Sequence, residues 1–322
     1  MDTAPAPELS ILLISWNTKQ MTLDCIASVY EQTHDTSFEI IVLDNASSDG
    51  SVEAIREQFP DVVVMAETVN HGFSVGTNLQ VPQAKGEKIL LLNTDTVVLD
   101  RAIDNLMAFS RRQPQAKIWG GRTLFGDRSL NPTSCYGRLT PWNQLSQALG
   151  LTALFPRSPF FNPRAYPGWL RDSERRVDIV TGCLLLIEKS FWEELGGFNA
   201  GYFMYGDDTD LCARAIRLGA KPMITPSATI VHYGGGSTRS HTRKICQISA
   251  AHIAIIKQHY PWGWRNFGAA TIVANVLIRR IGYGLAAWLR PARFGDVAAN
   301  WRAAWAQREE WRHGYPSGKT SG

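Results

Sequence analysis

Four short apolar runs, each followed by a helix-length segment, constrain this chain more than any other feature. Ser10–Asn17 (SILLISWN), Phe38–Asn45 (FEIIVLDN), Val62–Glu67 (VVVMAE) and Lys88–Thr96 (KILLLNTDT) read as buried strands. Between them, Thr18–Glu31, the stretch after Asp49-Gly50, Phe73–Lys85 and Arg101 to about Arg112 read as helices. Apolar runs alternating with helices of this length imply βαβ units with right-handed crossovers. The predicted fold class is therefore α/β, with a mainly parallel twisted sheet flanked by helices. Lys117–Phe125 continues it as a fifth strand.

From about Gly126 to Arg176 the pattern dissolves into Pro, aromatic and Arg residues. So long an irregular stretch inside a compact domain is more often functional than idle. Regularity returns at Asp178–Leu195, a strand running into a helix, and at Asp207–Gly219. The latter has an acidic first turn and a closing glycine, as a helix dipole and a helix end favour. A chain of 322 residues folds as one large domain or two modest ones. The expected division is 1–238 as a catalytic domain and 239–322 as a helical extension. Within the first, about 1–100 forms a nucleotide-binding half and 101–238 an acceptor half. The five cysteines are widely spaced, odd in number and lack a CxxC pair, so neither a zinc knuckle nor a disulfide framework is indicated. No charged segment followed by an apolar stretch marks a signal peptide at the N-terminus.

In a parallel α/β sheet, ligands bind beyond the carboxyl ends of the strands. Polar residues gather there: Ser15-Trp16-Asn17, Asp44-Asn45 and Asn93-Thr94-Asp95 each end an apolar run. Asp and Asn also favour turns and caps, so one such coincidence would mean little; three around one sheet edge point to a site. Asp95, flanked by threonines, suits a hard divalent cation that bridges to phosphate oxygens. The competing reading is a turn residue before the next helix. Asp207, Asp208 and Asp210 open a helix behind the aromatic loop GYFMYG. Capping accounts for one or two of them; an acidic pair delivered by such a loop suits a general base. His232 closes a further strand beside Gly234-Gly235-Gly236, a run that allows close approach of backbone to ligand. A structural histidine is the alternative.

In this order, DNASSDGS, NHGFSVGTN, LLLNTDT, the TG-to-LGGF block and FMYGDDTDLCAR resemble glycosyltransferase family 2, with the rhamnosyltransferase-like bacterial members nearest. The likeness runs from about Leu9 to Thr238. It implies the GT-A fold, a nucleoside-diphosphate sugar donor (dTDP- or UDP-linked) and inversion at the transferred sugar. By position, Trp16 would stack on the nucleobase and Asp44 would accept its imide N–H, with Ser15, Asn17 and Asn45 beside them. Gly72, Phe73 and Asn78 would line the ribose and diphosphate side, with Asn93 and Thr94 at the metal motif. Asp95 would ligate Mn²⁺ or Mg²⁺, and His232 falls where some members place a second ligand. The motif begins with Asn93 rather than Asp, which leaves the ion less negatively held. Asp208 would be the base, and Asp207, Thr181 and Gly182 would position the acceptor.

The chain's end has a different character. From Gly236 onward there are 13 Lys/Arg against 3 Asp/Glu, and 6 of the 11 tryptophans. Ala269–Leu289 resembles a membrane span, but Arg279-Arg280 sits at its middle, at a cost of about 5–7 kcal/mol. The expectation is a helix lying in an anionic membrane interface, with Trp288, Trp301, Trp305 and Trp311 beside Arg290, Arg293, Arg302 and Arg308. A packed helical cap or a homo-oligomer contact is the alternative. Nucleic acid fits poorly, because the body is acidic and no recognised motif appears. The resulting expectation is a cytoplasmic enzyme, peripheral on the inner face of the membrane, that glycosylates a glycan or lipid-linked acceptor. A nucleotidyltransferase would want a Gly-rich, basic turn after the first strand. A non-catalytic sugar-nucleotide or membrane-binding module would not need Asp208.

Overall fold

The computed structural model describes residues 5–234 and 240–315. The chain forms two compact units. The first comprises Met1–Tyr136, Trp169–Phe203 and Asp207–Ser237, the second Gly137–Gly168, Met204–Gly206 and Thr238–Gly322, undescribed residues being counted with their neighbours. Gly235 and Gly236 of the glycine run lie outside the described residues.

Unit 1 opens with β1 (Leu9–Ser15), α1 (Lys19–Gln32), β2 (Phe38–Asp44), α2 (Ser51–Gln58), β3 (Val63–Ala66), α3 (Gly72–Gln80) and β4 (Lys88–Leu92). It continues through β5 (Thr96–Val98), α4 (Ala102–Arg112), β6 (Ile118–Leu124), β7 (Leu130–Asn131) and β8 (Cys135–Tyr136). The chain then supplies α5 (Pro141–Ala148) and α6 (Leu151–Leu154) to unit 2. It returns as β9 (Arg175–Arg176), β10 (Ile179–Val180), β11 (Leu184–Glu188), α7 (Lys189–Leu195), α8 (Asp207–Arg217) and β12 (Met223–His232). Alternate residues of β1, Leu9, Ile11 and Leu13, join Ile26 and Val29 of α1, Leu106 and Phe109 of α4 and Trp119 of β6 in one buried core. Each such side chain contributes about 1.5–3 kcal/mol on burial, so strand alternation and helix periodicity converge on the same surface.

The main sheet runs β3-β2-β1-β4-β11-β6-β12-β5. The first four strands are parallel, as the βαβ pattern predicts. The sheet is mainly parallel, as expected, with antiparallel neighbours confined to its second half. β11 lies antiparallel between β4 and β6, β12 is parallel to β6, and β5 is antiparallel to β12. The predicted single strand Lys88–Thr96 is in fact two. The chain leaves β4 at Leu92, turns through Asn93-Thr94-Asp95 and enters β5 at the far edge of the sheet. Both departures build the site. Because β11 runs backwards, its beginning abuts the end of β4, where Asn93 N–H donates to Cys183 O at 3.3 Å. Because β5 pairs with β12, Thr96 stands opposite His232.

In unit 2, α9 (His241–His259), α10 (Trp262–Leu289) and α11 (Pro291–Ala306) pack on one another, α12 (Arg308–Trp311) packs on α9, and α5 packs on α10. The six tail tryptophans divide, which corrects the expectation that Trp301, Trp305 and Trp311 face a membrane interface. Trp311 is buried, with its indole N–H on Ala304 O, and Trp301 and Trp305 lie under arginine side chains. Trp262, Trp264 and Trp288 are exposed.

Candidate functional site

All the site residues named from sequence belong to unit 1, around one edge of its sheet. Register places Ser15 opposite Asp44, so the ends of β1 and β2 are level. The Ser15 hydroxyl joins a cluster with Thr22 (3.2 Å) and Thr18 (3.5 Å), and Thr94 reaches Thr18 at 3.3 Å. Trp16 follows, 38% exposed. Asn17 has φ 51°, a left-handed conformation that asparagine tolerates better than most residues. Its N–H donates to Ser47 Oγ and its Oδ1 accepts from Ser48 N–H, both at 2.8 Å. These bonds hold the 47–48 turn against the end of β1.

Asp44 is buried. Its Oδ2 accepts from Ser47 N–H at 2.8 Å, whereas no donor among the described residues meets its Oδ1. A buried carboxylate oxygen without a donor is costly, and such costs concentrate at binding sites. Asn45 is spent on structure: its Oδ1 accepts from His71 N–H and its Nδ2 donates to Gly72 O. Gly72 itself has φ 76°, and a Cβ there would stand 2.6 Å from Phe203 O, so the entry to α3 requires glycine. The next residue, Phe73, donates its N–H to that same oxygen, and its ring lies 3.2 Å from where a Cβ on Gly182 would stand.

Asn78, expected to line the ribose and diphosphate side, has its amide engaged with backbone. Its Nδ2 donates to Phe198 O and its Oδ1 accepts from Phe198 N–H, at 2.8 and 2.9 Å. The amide thus clamps the turn after α7, where a Cβ on Gly197 would strike Asn78 Oδ1 at 2.7 Å. Thr181 is likewise engaged, its hydroxyl lying 3.0 and 3.1 Å from Thr133 O and Ser134 O. It fixes the start of β11 rather than presenting a free hydroxyl.

Asp95 and His232 meet at one corner of this edge. Asp95 Oδ1 and His232 Nε2 are 3.2 Å apart, Asn93 Nδ2 is 3.4 Å from the same nitrogen, and Tyr233 N–H donates to Asp95 O. Burial pulls the imidazolium down, but the Asp95 carboxylate and Cys183 outweigh it and raise His232 to about 10. Without an ion the pair is therefore a salt bridge. Ligand atoms at about 2.0–2.2 Å from one ion, at right angles, are about 3 Å apart. The observed spacing fits two neighbouring positions on one divalent cation, which would replace the proton. Among the described residues no third His, Cys, Asp or Glu completes a cluster. Other positions would fall to water and phosphate oxygens, the usual condition of Mg²⁺ at phosphate sites.

The three carboxylates at the start of α8 separate into different roles. Asp210 is fully buried and paired with Arg214, whose guanidinium also donates to Leu195 O and Gly197 O. That one is architecture. Asp207 is buried, with Ser74 Oγ donating to it at 3.4 Å. Burial first, and the neighbouring Asp208 charge second, push its carboxyl up to about 7. Asp208 is partly exposed, and its Oδ1 accepts from Thr209 N–H.

One candidate escaped the sequence reading. Arg122, on β6, has a buried Nε without a hydrogen-bond partner, and no carboxylate among the described residues pairs with it. Strand alternation puts it on the face of Gly120, whose absent side chain leaves room for Val180 just before the Thr181–Gly182 turn. A lone arginine inside an apolar strand carries no sequence signature; only its want of a partner marks it.

Comparison with known proteins identifies the family and the fold. The sequence model described as "Glycosyltransferase like family 2" matches residues 5–254. The N-acetylglucosaminyl-diphospho-decaprenol L-rhamnosyltransferase of Mycobacterium tuberculosis is 27% identical over 260 residues, covering 74% of this chain and 83% of that protein. The O-antigen biosynthesis protein RfbC of Myxococcus xanthus is 25% identical over 73% of this chain and 18% of its own length. Among solved structures, the mannosyltransferase PcManGT from Pyrobaculum calidifontis, in complex with GDP-Man and Mn²⁺, superposes with a TM-score of 0.56. It is 18% identical and covers 96% of this chain and 90% of its own. GalNAc-T7 with UDP, GalNAc and Mn²⁺ gives a TM-score of 0.52 at 14% identity, covering 83% of this chain and 54% of its own.

Proposed function

The chain belongs to glycosyltransferase-like family 2 and has the GT-A fold, and from that premise we propose that it is a metal-dependent, inverting transferase of a deoxyhexose such as rhamnose. The donor is a dTDP- or UDP-sugar. The acceptor is a hydroxyl of a lipid-linked glycan precursor at the cytoplasmic face of a membrane. The observation that carries the metal and donor assignment is the Asp95–His232 pair, two ligand-type atoms at the spacing of one coordination sphere. The rhamnosyltransferase relative from Mycobacterium tuberculosis, which by its name uses a diphospho-decaprenol-linked sugar, supports the choice of sugar and acceptor class.

Each residue then has a task. Asp44 Oδ1 accepts the imide N–H of uracil or thymine, which supplies the donor that this buried oxygen lacks. Trp16 covers the base. Asp95 and His232 would hold Mn²⁺ or Mg²⁺, and such an ion would supply Lewis-acid neutralisation of charge on the leaving diphosphate. Asp208 takes the proton of the acceptor hydroxyl on the face opposite the leaving group, a contribution of roughly 10²–10⁴-fold. Asp207, whose carboxyl is held above the usual range by burial and then by the Asp208 charge, precedes Asp208 on the first turn of α8 and positions it. Arg122 supplies an unpaired positive charge to the diphosphate that links the acceptor sugar to its lipid. Asn45, Asn78 and Thr181 build the frame.

A donor screen tests this reading. Release of nucleoside diphosphate from a panel of nucleotide sugars, with Mn²⁺ and a short-chain diphospholipid-linked sugar, should be greatest with a dTDP- or UDP-deoxyhexose. Preference for a purine nucleotide sugar would contradict the role given to Asp44.

A further inference from the structure

We propose that unit 2 docks on an anionic lipid surface through an apolar face assembled from two separate chain segments, with α10 lying along the surface rather than crossing it. The proposal rests on the reading above only in taking the acceptor to be lipid-linked. Ile278, Ile281, Leu285, Trp288 and Leu289 are all exposed, and their spacing of three and four residues puts them on one stripe of α10. Trp288 is 81% exposed. The second segment is Leu154, Phe155 and Phe160, also exposed. It is fastened to α5, because Trp142 donates its indole N–H to Phe160 O at 2.6 Å and the two rings lie 4.8 Å apart. α5 in turn packs on α10, so the helix that carries the second segment is a neighbour of the helix that carries the stripe. Apolar groups gathered in this way mark an interaction site.

Charge identifies the partner. By sequence, unit 2 holds 16 Lys/Arg against 3 Asp/Glu, whereas unit 1 holds 17 against 26. Neither 137–168 nor 240–295 contains a single acidic residue. Arg157 sits between the exposed Phe155 and Phe160, and Arg290 and Arg293 follow the exposed end of α10, all three exposed. Basic residues near an anionic leaflet contribute about 1 kcal/mol each. Exposed Trp, Phe and Leu beside Arg is the composition of an interfacial helix.

The two arginines inside the apolar run explain why α10 lies flat. By length and composition the helix could cross a membrane. Arg279 and Arg280, however, point away from the stripe towards α11. The Arg279 guanidinium is 5.4 Å from the Trp301 ring and bonds Asn275, and that of Arg280 is 5.9 Å from the Trp305 ring. α11 thus covers the basic side of the same helix, which leaves one apolar side for lipid. A crossing helix would have to give up those contacts.

The test is flotation of the full-length protein with vesicles of phosphatidylcholine alone and of phosphatidylcholine with phosphatidylglycerol. Wild type should bind the anionic vesicles, be released by alkaline carbonate and bind neutral vesicles far less. The double variant Leu285→Glu with Trp288→Glu should lose binding at least tenfold, and Leu154→Ser with Phe160→Ser several-fold. Arg290→Glu with Arg293→Glu should abolish the preference for anionic lipid. All six sites are exposed, so melting temperature and nucleotide affinity should not change. Binding by the Leu285/Trp288 variant equal to wild type, retention in carbonate, or a dimer that this variant dissociates while vesicles are ignored would each overturn the proposal. Sugar transfer to a short-chain, water-soluble acceptor, run in parallel, reports separately on the catalytic reading, because it needs no membrane.

Discussion

The Oδ1 atom of Asp95 and the Nε2 atom of His232 stand 3.2 Å apart because β5, the strand after Asp95, pairs antiparallel with the end of β12. Two remote segments are thereby fixed by backbone hydrogen bonds, so the pair is preorganised rather than assembled on binding. Replacing Asp95 with Ala should abolish metal-dependent turnover. His232→Ala should weaken Mn²⁺ affinity, measured calorimetrically with the nucleotide present, by roughly 10–100-fold. Unchanged Mn²⁺ affinity in both variants would remove the assignment.

The acidic pair at the head of α8 yields a ranking. Asp208→Asn keeps the shape but cannot accept a proton, so kcat should fall by roughly 10²–10⁴-fold while nucleotide affinity barely moves. Asp207→Asn should be milder, because the wild-type group already carries a proton near neutral pH. Steady-state kinetics of the two variants decide the order; the reverse ranking would make Asp207 the base.

Asp207 also leaves a signature in stability. Its folded-state pKa, raised from 3.8 to about 7, means that the folded protein binds the extra proton between those values. Stability therefore falls as pH rises across that window, and the ionised group destabilises the fold above it. Asp207→Asn should raise the melting temperature at pH 8 and change it little at pH 4. Thermal unfolding at the two pH values is the check.

Nucleotide recognition rests on one oxygen. Asp44→Asn presents an amide in place of the unpartnered Oδ1 and removes the charge that favours an imide donor. Affinity for UDP or dTDP should drop by about 10–100-fold, the worth of a hydrogen bond to a charged group. Equal loss for purine diphosphates would point to general damage instead.

Arg122→Gln should raise KM for a diphospholipid-linked acceptor by about tenfold and leave nucleotide affinity unchanged, since the lost charge belongs to the acceptor side. Initial rates at varied acceptor concentration measure this. A parallel loss of nucleotide affinity would place the guanidinium at the donor.

The sheet edge was legible in the sequence where local pattern governs. The ends of β1 and β2, with Ser15 and Asp44, follow from apolar runs that stop at polar residues. Long-range pairing left no local trace. Nothing in LLLIE says that β11 runs antiparallel between β4 and β6, and KILLLNTDT does not show that its last residues join the opposite edge of the sheet. Side chains that serve the frame look like side chains that serve a ligand: Asn45, Asn78 and Thr181 stand at binding-type positions, yet their polar atoms grip the backbone. In the tail, composition revealed basic and aromatic character but not which tryptophans are covered, because that depends on how α10 and α11 meet.

Mass-spectrometric detection of sugar transfer addresses the catalytic claim most directly. The reaction would contain a dTDP- or UDP-deoxyhexose, a short-chain diphospholipid-linked acceptor and Mn²⁺, with wild type and Asp208→Asn compared in the presence and absence of chelator. The expected result is one added deoxyhexose and one nucleoside diphosphate per turnover for wild type with metal. Chelated wild type and the metal-loaded Asp208→Asn enzyme should show next to none. Undiminished transfer by Asp208→Asn, or by wild type in excess chelator, would contradict the mechanism proposed here.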